Sequence, residues 1–292
     1  MKLSIINSNK SYIEFALEAP VEYANALRRT IMSDLETEAL HDTNIHINTS
    51  MLDNDMLLQR LYMIPLLKGL ETSFEYEFIN ETEDDVNIYS HDLSSSLVEN
   101  ILLVSLKPKQ KLHIESSSKR GIGYMNAKWS CITDLTYKQQ KKIVGELTKE
   151  EFKKIKTIIP QFKLKQITNF IDTNMIFMIN QICEREVFKI IFSDNFTISF
   201  STIDKSDAKD RLLQAIKRLV QKTLHIQIKH NKLDSNDYSI PNLLMLEYPD
   251  KNFTCIKQHN LDTYFLLSNT KLLPETQEKI AQNFRLCLTD ME

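Results

Sequence analysis

The side chains that could carry chemistry are scattered through this sequence. Seven histidines, His41, His46, His91, His113, His225, His230 and His259, include no i, i+4 pair of the kind that places two imidazoles on one helix face. Asp53 and Asp55 lie close enough to share a divalent cation. The same pair suits a polar turn opening a helix, where acidic groups meet the positive end of the helix dipole, and that is our reading. Cys131, Cys183, Cys255 and Cys287 show no C-x-x-C and no metal-ligand spacing, so we read them as buried or half-buried thiols in a reducing compartment. Only four glycines occur, at 69, 121, 123 and 145, which rules out a phosphate-cradling loop. Ser-His-Asp and H-E-x-x-H constellations are missing. What remains is cationic. Arg28 and Arg29 flank an apolar stripe and cannot be buried without partners. Lys138, Lys141, Lys142, Lys149, Lys153, Lys154 and Lys156 form the most basic stretch. The chemistry within reach is therefore charge-assisted binding rather than bond making.

Composition bounds the scaffold that must position these groups. The chain has 292 residues, 42% hydrophobic and 26% charged, as expected of a soluble globular protein with one large or two modest domains. A net charge of −3 argues against a dedicated nucleic-acid binder. The default reading of the lysine-rich stretch is a solvated face, diluted by Glu146, Glu150 and Glu151. The N-terminal residues show no signal-peptide pattern, and no run of eighteen apolar residues offers a membrane span. An intracellular location, in cytoplasm, nucleus or virion, is expected.

Patterning predicts the elements. Lys2–Ile6 and Tyr12–Leu17 alternate around a turn at Asn7–Lys10 and read as a hairpin. Pro20 opens a helix whose Ala24, Leu27, Ile31 and Leu35 form one apolar stripe, ending near Glu36. A strand with Ile45 and Ile47 follows, then a second helix over about Asp53–Met63, stopped by Pro65. Phe74–Phe78 and Asn87–Leu93 read as strands, Leu106–Ile114 as a strand entered from a turn at Pro108, and Asn80–Asp85 as an acidic turn. Leu135–Pro160 reads as helical, with a capping box at Thr148–Glu151, and Ile171–Ile182 as a further apolar element. Glu186–Phe200 returns to strands. Ser206 is placed as the cap of a long helix, Asp207 to about Ile226, bearing Ala208, Leu212, Ala215, Ile216, Leu219, Val220 and Thr223. Trp129, the only tryptophan, should anchor a small sheet domain.

Particular residues in this framework resemble a family. Asn25, Ala26, Leu27, Arg28 and Arg29, then Asn48, Thr49, Ser50 and Leu52, then Arg60, Leu61, Ile64, Pro65 and Leu66 resemble the signature of the RNA polymerase assembly subunits. These are the third-largest eukaryotic subunit, its D-type counterpart in archaea and, more distantly, bacterial α. Asn87–Leu93 resembles the family's N-V-Y-S-x-D-L strand. Lys119, Gly121, Ile122, Ala127, Lys128 and Trp129 match its K-K-G-I-x-x-x-H-A-K-W run, with Asn126 in place of the usual His. The resemblance implies an α+β fold. Residues 1–45 and 186–226 would form a discontinuous dimerisation domain, and 46–185 an inserted, mainly β domain. Relatives often hold zinc or an iron–sulfur cluster in that insert. Gly69–Asn87 carries neither Cys nor His, so no metal or cofactor is expected here.

Residues 227–292 extend beyond the family's usual end. Asp237–Leu244 resembles the D-H-T-L-G-N-L-L motif of the small partner of that family (the L-type polypeptide of archaea, the eleventh subunit in eukaryotes), with Pro241 in place of Gly. Asn252–Cys255 and His259–Asp262 resemble that partner's next strand and its H-P-L-E turn. Phe265–Leu267 would be a further strand, and Pro274 opens a final helix bearing Ile280, Phe284, Leu286 and Leu288. The chain thus resembles a fusion of both halves of the heterodimer, an arrangement associated with large DNA viruses.

The function implied is a non-catalytic assembly platform of a DNA-directed RNA polymerase, whose catalytic metal lies in the largest subunit throughout the family. Ala24, Leu27, Ile31, Leu212, Ile216, Leu219 and Val220 would form the dimerisation core, covered by an L-like partner in cis or in trans. Asn25, Arg28, Arg29, Asn48, Thr49 and Arg60 would face the second-largest subunit. The largest subunit and a small tenth- or twelfth-subunit-like polypeptide are further partners, DNA is met only indirectly, and no membrane is involved. The alternatives are a sequence-independent nucleic-acid binder using the 138–156 lysines and a viral core structural protein.

Overall fold

Strand β1 (Lys2–Ser8) and strand β2 (Tyr12–Glu18) form the expected hairpin, pairing Lys2 with Glu18 and Ser8 with Ile13. Its turn is held by the Asn9 carboxamide oxygen, which accepts from the backbone N–H of Ser11 at 3.1 Å and Tyr12 at 2.8 Å. This computed structural model describes residues 1–67, 72–159, 173–226, 228–229, 231–235, 238–250, 253–257, 264–268 and 273–291. The chain divides into two compact units, Met1–Thr136 with Ile198–Glu292, and Tyr137–Thr197.

In the first unit, helix α1 (Val21–Ser33) follows the hairpin, with Pro20 at the position just before the first helical residue. Strand β3 (Glu36–Asn48) starts at once and is longer than its Ile45/Ile47 alternation suggests, because its first half pairs with a partner distant in sequence. That partner is β7 (Lys111–Ile122), which also pairs with β4 (Ser73–Ile79), giving the sheet order β3-β7-β4. Helix α2 (Asn54–Tyr62) packs beside β3. Asp53 is its cap, accepting from the Met56 N–H at 2.8 Å, as a helix-opening carboxylate should. Strands β5 (Val86–Tyr89) and β6 (Leu102–Leu106) form a small second sheet.

Two local expectations are corrected here. Asn87–Leu93 is a strand only as far as Tyr89. Ser90–Leu93 (α3) turns as a helix because the Asp92 carboxylate accepts the Tyr89 N–H at 2.8 Å. Leu135–Val144 is not helical but the second part of strand β8 (Ile132–Val144). Leu135, Tyr137 and Gln139 are half-buried while Thr136, Lys138 and Gln140 are exposed, a period of two that the lysines obscure.

Trp129, in the 3-10 turn Ala127–Trp129, is buried and donates its indole N–H to the Lys119 carbonyl at 2.9 Å. Its ring lies so close to Gly121 that an added Cβ there would fall 2.4 Å from it. Leu40, Leu57, Leu61, Ile64, Leu66, Ile88, Leu97, Leu103, Leu106, Leu112 and Ile114 form one buried core drawn from β3, α2, β5, β6, β7 and the turns between them.

The unit Tyr137–Thr197 contains the second part of β8, helix α4 (Lys149–Ile158), helix α5 (Thr173–Ile182) and the first part of β9 (Lys189–Thr202). Ile155, Ile176, Ile179, Val187 and Phe188 form its core. The expected capping box is present: Thr148 and Glu151 exchange hydrogen bonds, and Arg185 grips the Glu151 carboxylate through two bonds of 2.6 and 2.8 Å. Positions 160 and 171–172 of the sequence-based elements lie outside the described residues.

Strands β1, β2, β9 and β8 share one sheet in that order. Helix α6 (Ala208–Leu224) follows β9. Its cap is Asp207, which accepts from Lys209 N and Asp210 N, and not Ser206. Ser206 is buried instead in an ion-pair network: Arg211 pairs with Asp204, donates to the Ser206 hydroxyl at 3.0 Å, and donates to the Glu36 carbonyl at 3.1 Å. Both charged groups are almost fully buried, so each needs the other.

The far end of the chain adds β10 (Ile228–Lys229), β11 (Lys232–Asp234), helix α7 (Ser239–Glu247), β12 (Cys255–Ile256), β13 (Tyr264–Leu267) and helix α8 (Leu273–Thr289). The four strands pair in the order β10-β11-β13-β12. Asp237, Asn252 and His259–Asp262 lie outside the described residues. On α8 the inward positions are Ile280, Ala281, Phe284 and Cys287; Leu286 points out, 46% exposed, because it falls two positions off that stripe.

Candidate functional site

Two faces of α1 matter. The inner one carries Tyr23, Ala24, Ala26, Leu27, Thr30 and Ile31, all buried. It meets α6, whose Leu212, Ala215, Ile216 and Leu219 are likewise fully buried, with Val220 partly so. Neither stripe is left open. Helix α8 lies along α6, and α7 packs on both α1 and α8. Burial of each large aliphatic side chain contributes about 1.5–3 kcal/mol relative to exposure, so this seam is a main source of the unit's stability.

Polar contacts pin the same seam. The Tyr23 hydroxyl donates to Glu247 Oε1 at 2.8 Å and accepts from the Asn283 amide at 2.8 Å, joining α1, α7 and α8. Burial raises the Tyr23 pKa, which keeps the phenol protonated as donor. The Tyr23 ring packs 5.2 Å from Phe284. Lys222 pairs with Asp34 at 2.6 Å, tying the end of α1 to α6, and the Asp290 carboxylate takes the Leu3 N–H at 2.9 Å. Tyr23, Glu247 and Asn283 were not among the candidate residues; each is an ordinary polar residue until the tail folds back.

The outer face of α1 carries Asn25, Arg28, Arg29 and Met32. The Asn25 oxygen accepts from Arg28 Nε at 3.1 Å and Nη2 at 2.8 Å, which aims the guanidinium along the helix. Arg29 is half-buried and has no ion-pair partner among the described residues.

The other three candidates are engaged in local structure. Asn48 donates to the Leu52 carbonyl and Asn54 at 2.9 Å each and accepts from Ser50, closing the turn before α2. Thr49 exchanges hydrogen bonds with the backbone of Lys111. Arg60 donates to the carbonyls of Leu103 at 2.8 Å and Leu102 at 2.7 Å, fastening α2 to β6.

A second cationic feature lies between α2 and the turn after β7. Lys128 Nζ donates to the Leu40 carbonyl and to His41 Nδ1, both at 2.8 Å, and sits over the rings of Tyr62 at 4.2 Å and Trp129 at 4.7 Å. Desolvation lowers its pKa. Lys128 belongs to the A-K-W run, but its cage comes from three separate segments.

The turn Asn80–Asp85 is closed by the buried Asn80. Its amide donates to the carbonyls of Asp84 at 2.8 Å and Leu106 at 2.9 Å, and its oxygen accepts from Thr82. This turn presents amide and hydroxyl groups and no thiolate or imidazole, so it does not fit a tetrahedral zinc or an iron–sulfur cluster. Burial pushes the Cys255 and Cys287 thiols up, to about 12 and about 11, which suits inert packing groups.

No family model matches the chain. Its sequence is similar to components of DNA-directed RNA polymerases. DNA-directed RNA polymerase subunit Rpo3 of Methanocaldococcus jannaschii is 38% identical over 120 residues, which cover 39% of this chain and 63% of that protein. Rpo3 of Methanobrevibacter smithii is 32% identical over 164 residues, 49% of this chain and 60% of its own length. Rpo3 of Methanosarcina acetivorans is 25% identical over 246 residues, 74% and 92%. The chain spans less than two thirds of the first two relatives it matches. These likenesses support the RNA polymerase subunit family.

Proposed function

We propose that this chain is a non-catalytic assembly subunit of a multisubunit DNA-directed RNA polymerase, and that residues 227–292 act in cis as its L-like partner. The observation that carries the reading is the seam itself: the apolar stripes of α1 and α6 are closed by α7 and α8 of the same chain. Fusion holds the second half at high effective concentration without requiring any additional contact. A fused arrangement of this kind agrees with an origin in a large DNA virus. The similarity to Rpo3 supports the choice of machine.

With the inner face closed, the outer face of α1 is left to dock a partner. Arg28 and Arg29 offer guanidinium donors that hold a carboxylate or paired carbonyls bidentately, which lysine cannot do. We assign that docking to the second-largest subunit, with Asn25 orienting Arg28. The largest subunit and a small tenth- or twelfth-subunit-like chain complete the assembly. No metal enters this scheme, since the Asn80 turn is stiffened by its own hydrogen bonds. The Arg28→Ala, Arg29→Ala double variant should keep its melting temperature and lose co-purification of the second-largest subunit. Undiminished co-purification would remove the assignment.

A further inference from the structure

The groove beside Lys128 is not accounted for by that reading. It has a volume of about 860 Å³ and runs between α2 and residues 125–129, with Leu58, Tyr62, Met63 and Met125 along it. Three cations, Lys119, Arg120 and Lys128, face a single carboxylate, Asp55. Arg120 is paired with Glu38 at 2.7 Å. Lys128 is half-buried, yet has no carboxylate within ion-pair distance among the described residues. Its neighbours are a carbonyl, an imidazole and two aromatic faces. A desolvated ammonium in such a cage is favoured by an incoming anion. Its lowered pKa agrees, since desolvation outweighs the longer-range pull of Asp42.

The rim decides the class of anion. Met63 is 54% exposed and Met125 69%, with the Tyr62 ring beside them. A thioether and aromatic rim suits apolar side chains and offers nothing to a phosphate backbone, which needs a row of free cations. The turn that carries Met125 also reaches the end of α1. The Tyr124 N–H donates to the Ser33 carbonyl at 2.8 Å, and Met32, in contact with Arg28, is half exposed beside it.

We infer that this groove receives an extended segment of a partner polypeptide in which an Asp or Glu, flanked by apolar residues, pairs with Lys128. The inference deepens the assembly reading and rests on it: the segment is the continuation of the partner held at Arg28 and Arg29. The carboxylate meets the ammonium, and the apolar flanks cover Met63 and Met125.

The test uses the full chain in the assembled complex, with a benzophenone side chain placed at Ala127 or, separately, at the half-exposed Met32 beside Arg28. Light-induced adducts are located by mass spectrometry. The Ala127 probe should mark one segment that contains an Asp or Glu next to apolar residues, on the same chain that the Met32 probe marks. Adding Met125→Glu or Lys128→Gln should lower that adduct about ten-fold or more, the loss expected for one charge-assisted contact. Met125→Glu alters only an exposed side chain, so it separates docking from folding. An adduct to a basic segment, to nucleic acid or to a second copy of this chain overturns the inference. So does an Ala127 probe that stays silent while the Met32 probe reacts, which leaves the assembly reading standing. Silence at both positions overturns both.

Discussion

Gly121 and Trp129 set a tight residue-level constraint between β7 and the Ala127–Trp129 turn. The indole occupies the space a side chain at 121 would need. Gly121→Ala must displace the ring and strain its hydrogen bond to Lys119, so it should destabilise the protein by about 1–3 kcal/mol. Urea unfolding followed through Trp129, the only tryptophan, reads this directly. Arg60 makes a different residue-level claim. Because its guanidinium holds two backbone carbonyls of β6, Arg60→Ala should lower stability by about 1–2 kcal/mol before any partner is considered. Thermal unfolding of the isolated chain would show this, and an unchanged midpoint would return Arg60 to the set of free interface residues. Asn48 and Thr49 belong with Arg60: each is a polar residue at a recognisable position whose groups are already occupied by neighbouring backbone.

Helix starts and helix seams are the element-scale story. Glu151 closes the first turn of α4 and receives Arg185, which holds its carboxyl at about 2 against an ordinary value of 4.5. A depressed carboxylate contributes its stability above the unfolded value and loses it as the pH falls through the folded one. The α4 cap should therefore be complete above about pH 4.5 and loosen toward pH 2. The protection factors of the Thr148 and Glu151 amides should fall as the pH drops across that range, and Glu151→Gln should abolish the transition. At the seam, α1 and α6 are amphipathic helices with stripes too large to leave in water. A chain ending at residue 226 should expose them and self-associate, as sedimentation velocity would report. A truncated chain that stays monomeric would mean that α7 and α8 are not the cover the seam needs.

At the scale of the whole molecule, charge is unevenly distributed. Residues 137–197 hold eleven Lys and Arg against seven Asp and Glu, within a chain of net charge −3. The lysines of β8 and α4 are exposed, and two of them rest on phenylalanine rings: Lys141 over Phe192 and Lys156 over Phe152. No helix among the described residues is long and apolar enough to cross a membrane. On the assembly reading, the full chain should run as a monomer in native mass spectrometry and take up polymerase subunits without a separate L-like chain.

The sequence alone determined whatever depends on near neighbours or on a fixed period. The first hairpin, the stripes of α1 and α6, the Thr148 capping box and the turn-and-cap role of Asp53 all follow from residues within one or two turns of each other. Local pattern failed where a distant strand or a buried charge decided the outcome. Residues 135–144 carry so many lysines that their alternation is masked, and pairing makes them a strand. Ser206 looks like a cap, but Arg211 and Asp204 draw it into a buried network. Only the tertiary structure could show that α7 and α8 close the seam, that Arg60 serves β6, and that Lys128 is caged by Leu40, His41, Tyr62 and Trp129. Those facts join segments tens to hundreds of residues apart, and the propensity of a segment carries no record of what will later pack against it.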